Sequence, residues 1–221
     1  MTRLTKVVPA ILTDDPKALA TMVCQAESFT NYVQIDIMDG QFVPSQSITS
    51  EHLVELSTTL SWEVHLMVQQ PETYLKGLWK AGARRVIFHY EATSSPEEVI
   101  SQARNLGLGV GLAINPETPL SLIYPLVNMV DNVLFLAVTP GFYGSPFIPE
   151  VLDKAVELRS ARPNLEIGVD GGMKESNIAE IAQLGIDTIY AGSAVFLQPN
   201  PGKSFRHLLA LAQEGSRHRG Q

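Results

Sequence analysis

Short runs of apolar, β-branched residues alternate with longer amphipathic runs along the whole chain. The short runs cover Val7–Leu12, Val33–Ile37, Glu63–Met67, Arg85–His89, Val110–Ile114, Asn132–Val138, Glu166–Asp170 and Thr188–Ala191. Most are nearly continuous in apolar residues, as expected of parallel strands covered on both faces. The patterns between them predict helices, among them Pro16–Ser28, Pro71–Ala81, Pro96–Leu106, Pro149–Arg159 and Glu175–Leu184. Proline after a polar residue, as in Asp15-Pro16, Ser95-Pro96 and Thr118-Pro119, marks helix starts, because the missing N–H has no partner there anyway. Gly82, Gly107 and Gly185 mark ends just before the next strand. This βα alternation implies a parallel sheet with right-handed crossovers, and eight units close into a (β/α)8 TIM barrel. An open doubly wound sheet would want a glycine-rich turn after the first strand, where the chain reads Leu12-Thr13-Asp14. No linker divides the chain, so residues 1–213 are read as one barrel domain. Apolar periodicity ends after Gln213, and 214–221 are read as a mobile tail.

Composition adds exclusions. With 221 residues, 45% hydrophobic and 18% charged, the chain is an ordinary globular one. No apolar run reaches the ~18–20 residues of a membrane span. The start MTRLTKVVPAIL lacks the pattern of a secretory signal. Cys24 is the single cysteine, which rules out an internal disulfide and a paired-cysteine metal site. A cytoplasmic location is therefore expected. Cys24, Trp62 and Trp79 are read as packing residues. A net charge of −7 with scattered basic residues argues against a nucleic-acid partner.

Chemistry in such a barrel sits at the carboxyl ends of the strands. There the second strand presents Gln34, Asp36 and Met38 on one face by the two-residue period, and the third presents His65 and Met67. Asp36 and Asp170 each follow apolar strand residues, where a carboxylate is costly unless paired or metal-bound. Asp39 precedes a glycine and is read as a turn former. Glycines cluster after the last three strands, at Gly141 to Gly144, Gly171-Gly172 and Gly192-Ser193. Glycine loops let backbone N–H groups approach an anion, and the loops after strands seven and eight are the recurrent phosphate site of these barrels. The residues alone thus suggest acid/base work beside a phosphate.

The chain also resembles a known family, the ribulose-phosphate 3-epimerases of the ribulose-phosphate-binding barrels. The likeness runs from about Val7 to Phe196 and is carried by Asp36-Ile37-Met38-Asp39-Gly40-Gln41-Phe42-Val43-Pro44, His65-Leu66-Met67-Val68, Asn115-Pro116-Glu117-Thr118-Pro119, Val169-Asp170-Gly171-Gly172 and Ala191-Gly192-Ser193. The resemblance implies an isomerase that inverts C3 of a phosphorylated ketose (ribulose 5-phosphate and xylulose 5-phosphate, or a related one) through an enediolate. It implies Asp36 and Asp170 as the acid/base pair, and a divalent zinc, manganese, magnesium or iron ion on Asp36, His65 and Asp170. Ala10, Met38, Met67, Gly141, Phe142, Tyr143, Gly144, Gly171, Gly172, Gly192 and Ser193 would line the substrate and phosphate site. It further implies a homo-oligomer. The chain departs from the family pattern at Gln34, where a histidine ligand is expected, and at Gln41, Ala10 and Tyr143. Zinc prefers imidazole to an amide oxygen, whereas magnesium and manganese accept the latter. A non-catalytic sugar-phosphate binder is the alternative. Decarboxylation or aldol cleavage would want a lysine at a strand end, which the eight strands lack.

Overall fold

Residues 4–141 and 145–219 are described by the computed structural model. Eight strands, β1 (Lys6–Ile11), β2 (Tyr32–Met38), β3 (Ser61–Met67), β4 (Arg85–His89), β5 (Gly109–Ile114), β6 (Asn132–Leu136), β7 (Glu166–Asp170) and β8 (Thr188–Ala191), pair in sequence order. All pairs are parallel, and Lys6 to Pro9 of β1 align with Thr188 to Ala191 of β8 to close the barrel. The expected (β/α)8 architecture is therefore present, with strand limits within two residues of those read from the pattern.

Alternation explains why the strands look apolar throughout. Val33, Ile35 and Ile37, or Val64 and Leu66, belong to the large core between the sheet and the helices. Their neighbours Val8, Ala10, Ile87, Ala113, Leu134, Leu136 and Tyr190 form a separate cluster inside the barrel. The buried polar residues Gln34, Asp36, Glu63, His65 and His89 are in register with this inward set. The sheet thus concentrates its polar groups along the barrel axis.

Outside lie α1 (Pro16–Glu27), α2 (Ser50–Val54), α3 (Leu75–Ala81), α4 (Pro96–Asn105), α5 (Val151–Ala161), α6 (Ile178–Gln183), α7 (Ser193–Phe196) and α8 (Pro201–Arg217). The proline starts act as expected at α1, where Asp15 accepts from the Lys17 amide at 2.9 Å, and at α4, which opens at Pro96; α8 opens the same way, unforeseen, with Asn200 accepting from the Lys203 amide at 3.0 Å. Thr118-Pro119 opens only a 3-10 turn over Leu120–Leu122, so among the described residues no α-helix spans β5 to β6. None of the described helices is long and apolar enough to cross a membrane.

Three readings change. Cys24 is exposed, because the inward stripe of α1 is Leu19, Val23 and Ala26 and the cysteine lies beside it. Trp79 is 48% exposed for the same reason, next to buried Leu78 on α3, whereas Trp62 packs in the core. The segment after Gln213 continues as helix to Arg217. Its buried residues are Gly215 and Ser216, which carry no apolar signal. A Cβ at 215 would strike the Ala179 carbonyl, and Ser216 Oγ accepts from the Thr5 amide at 2.9 Å. Close approach and hydrogen bonds hold this end, where periodicity had nothing to register.

Candidate active site

Strand register brings the site together at the carboxyl end of the barrel. Asp36 of β2 lies directly beside His65 of β3, and Met38 beside Met67. Asp170 ends β7, across the barrel from both. The ligand atoms of Asp36, His65 and Asp170 all lie within 4.8 Å of one another, with His65 Nδ1 3.4 Å from Asp36 and 3.7 Å from Asp170.

Gln34, wholly buried one turn of the pleat below Asp36, joins the two carboxylates. Its Nε2 donates to Asp36 Oδ1 at 3.0 Å and to Asp170 Oδ2 at 2.9 Å. Its Oε1 is buried without a hydrogen-bond partner. Burial first, and the neighbouring Asp36 charge second, push the Asp170 carboxyl up to about 7 from its ordinary 3.8. Like charges this close do not readily ionise together, so the pair is suited to hold one proton between them.

Sequence reasoning passed over His89 and Glu91 as site residues, although His89 ends β4 on the inward face. His89 Nε2 is 2.9 Å from His65 Nε2, and its ring packs 4.8 Å from that of Phe42. Burial lowers His89 to about 4, so the ring is neutral near pH 7. Burial opposes ionisation of Glu91, but bonds from His89, the Thr118 hydroxyl and the Asn115 amide hold it below the usual range. The ionised Glu91 Oε2, 3.4 Å from His89 Nδ1, assigns the single His89 proton to Nδ1. His89 Nε2 then accepts from His65 Nε2, 2.9 Å away, and His65 turns its Nδ1 toward the two carboxylates. That buried atom has no hydrogen-bond partner and faces two carboxylates. An imidazole nitrogen and two carboxylates, the latter bridged by the Gln34 NH2, converge within 4.8 Å, and such a donor set fits a divalent metal.

A cleft of about 80 Å³, open to solvent, rises above them. Its lining includes Ala10, Met38, Met67, Gly141, Gly171, Gly172, Gly192 and Ser193 from the sequence reading, and also Tyr190, Ser145 and Met173, which that reading missed. Gly171 has φ +97°, and a Cβ there would collide with Val138, so the turn after β7 can carry no larger residue without moving. Phe142, Tyr143 and Gly144 lie outside the described residues. Gln41 is exposed and does not line the cleft, so of the departures among the described residues only Ala10 lines it, while Gln34 lies buried beneath it against Asp36 and Asp170. Asp39 is a turn former: it accepts from the Gln41, Phe42 and Gln69 amides at 2.8, 2.9 and 2.7 Å and ties the loops after β2 and β3 together.

A titration follows from this geometry. In metal-free protein, carbon-13 NMR is expected to show the Asp170 carboxyl titrating near 7, and an Asp36→Asn change is expected to bring it down. With a folded pKa above the unfolded one, its stabilising effect is complete below the unfolded value and is lost as pH rises through about 7. An Asp170 signal in the ordinary carboxylate range would contradict the close pairing.

Residues 6–196 match the model of the ribulose-phosphate 3 epimerase family. A ribulose-phosphate 3-epimerase of Schizosaccharomyces pombe is 36% identical over 218 residues, covering 95% of this chain and 96% of that one. The relative named as the cytoplasmic isoform in Oryza sativa is 35% identical, with 97% and 96% covered. Among solved structures, 3-hexulose-6-phosphate synthase from Salmonella typhimurium superposes with a TM-score of 0.73 over 97% of this chain and 100% of that one. At 15% identity that likeness speaks for the fold alone.

Proposed function

Since the chain belongs to the ribulose-phosphate 3-epimerase family, we propose that it inverts C3 of a phosphorylated ketose, ribulose 5-phosphate to xylulose 5-phosphate or a close relative, with Asp36 and Asp170 as proton carriers. The observation that carries this reading is the pair itself: two carboxylates from opposite sides of the barrel, bridged by one amide, with Asp170 raised to about 7. One carboxylate takes the C3 proton, and the electrons of that C–H bond move toward the C2 carbonyl oxygen to give an enediolate. The other, carrying a proton, returns it to C3 from the opposite face. Such positioned proton transfer contributes roughly 10²–10⁴ in rate.

A divalent metal on Asp36, His65 and Asp170 would supply positive charge toward the enediolate oxygens. Glu91 and His89 keep His65 oriented with its Nδ1 inward. Met38 and Met67, both buried, wall the cleft with apolar surface that excludes water from the carboxylates. The turns at Gly171-Gly172 and Gly192-Ser193 are assigned to the phosphate, in keeping with the usual anion site of these barrels.

The test is exchange. Incubation with ribulose 5-phosphate in deuterium oxide is expected to place deuterium at C3 and to yield the C3 epimer. The hydrogen bonds from Gln34 to both aspartates favour a second reading, a sugar-phosphate binder whose carboxylates are locked. Tight binding of ketose phosphates with no deuterium entering any of them would leave that second reading standing and remove the first.

A further inference from the structure

Gln34 is oriented by its surroundings. The donor end of the amide meets two carboxylate oxygens, at 3.0 and 2.9 Å, where an ionised carboxylate would repel the acceptor end. The cost falls on Oε1, a wholly buried acceptor with no donor. The side chain therefore satisfies one end of its amide at the expense of the other. A cation between Asp36, His65 and Asp170 would reverse that balance, since an N–H pair pointing at a cation is repelled and a carbonyl oxygen is attracted.

We propose that Gln34 is a reversible amide that serves the site in both states. Without a cation, its NH2 bridges Asp36 and Asp170. With one, it turns over about its terminal torsion and offers Oε1 as a fourth ligand. The turn breaks no hydrogen bond at Oε1, which has none, and that torsion is soft. The bridge it gives up is replaced by the attraction of both carboxylates to the ion. The proposal rests on the metal-dependent epimerase reading for its cation, but its test uses no substrate.

The donor set that results is three oxygens and one imidazole nitrogen, harder than a set with two imidazoles. Zinc gains more than manganese from a second imidazole, although zinc stays the tighter ion in absolute terms. The amide thus narrows the gap between the two metals without altering the charge of the site.

The experiment measures Zn²⁺ and Mn²⁺ affinities of the metal-free full chain by competition with a chelating indicator, for the parent and for Gln34→His. Circular dichroism checks that both are folded. Gln34→His is expected to raise Zn²⁺ affinity about ten-fold or more while Mn²⁺ affinity changes much less. Equal gains for both ions, no gain for zinc, or no binding of either ion by the parent would overturn the proposal. A second measurement needs no variant to stay active. The Gln34 side-chain NH2 resonances, assigned by their loss in Gln34→His, are expected to leave their hydrogen-bonded positions when Zn²⁺ saturates the parent. NH2 signals that stay in place at saturation would show that the amide does not turn. Epimerase activity enters neither readout, so failure here and failure to epimerise are separate results.

Discussion

Asp170→Asn is expected to lower C3 epimerisation of ribulose 5-phosphate by about 10³-fold or more, within the range known for a lost general acid or base. The substitution keeps the shape of the side chain and leaves an Oδ1 that accepts from Gln34 as the carboxylate does. What disappears is the proton carrier on one face of the sugar, together with one anionic ligand of the proposed metal. The loss should therefore fall mainly on kcat when metal is saturating, because the phosphate turns are untouched. Folding should not suffer. A buried carboxyl pushed up to about 7 is a burden to the folded state at neutral pH, and the asparagine removes it. A coupled assay of epimer formation, run beside a thermal melt, checks both halves. Asp36→Asn should behave alike in rate. Turnover retained within ten-fold by either variant would mean that the chemistry runs through other groups.

The second large effect lies at the other end of the barrel. Arg85, the first residue of β4, donates through Nε to Glu63, contacts Glu166 at 3.3 and 3.4 Å, and reaches the Tyr190 hydroxyl at 3.5 Å. Glu63 is fully buried and also accepts from Tyr32 at 3.1 Å, while Thr188 donates to Glu166 at 2.9 Å. Arg85→Met would leave the Glu63 charge inside the barrel without a counter-ion. Breaking one partner of such a buried pair costs roughly 3–5 kcal/mol, whereas replacing both partners by apolar groups is often neutral. Urea unfolding should accordingly show a large loss for Arg85→Met and recovery of much of it in Arg85→Met/Glu63→Leu. A double variant no more stable than the single one would disprove the coupling.

These two clusters differ in how far the chain announced them. The run of apolar residues already placed Asp36, His65 and Asp170 at strand ends, because that argument needs only local sequence. Arg85, Glu63 and Glu166 each look like solvated residues at a strand start. Their meeting depends on the register of β3, β4 and β7, which no short-range pattern encodes. Gln34 was visible as a departure, but its bond to both carboxylates, one of them 136 residues away, was not. The same holds for Gly215 and Ser216, small residues whose burial comes from what stands opposite them. Cys24 and Trp79 show the converse error, in which an apolar residue beside a helical stripe was counted as part of it.

The seam between β1 and β8 has a consequence for how the chain is made. β1 is made before the other seven strands, yet its second neighbour, Thr188 to Ala191, and Ser216, which holds Thr5 just ahead of it, are made only after them. For most of synthesis the nascent chain therefore carries a bare apolar strand edge, the kind of surface that invites pairing with other chains. Asp36 also waits, because its partner Asp170 and the far wall of the cleft are translated late. A working site should thus first appear only once β8 and α8 have been made, and chains truncated before α8 should aggregate and not accumulate as partly active barrels.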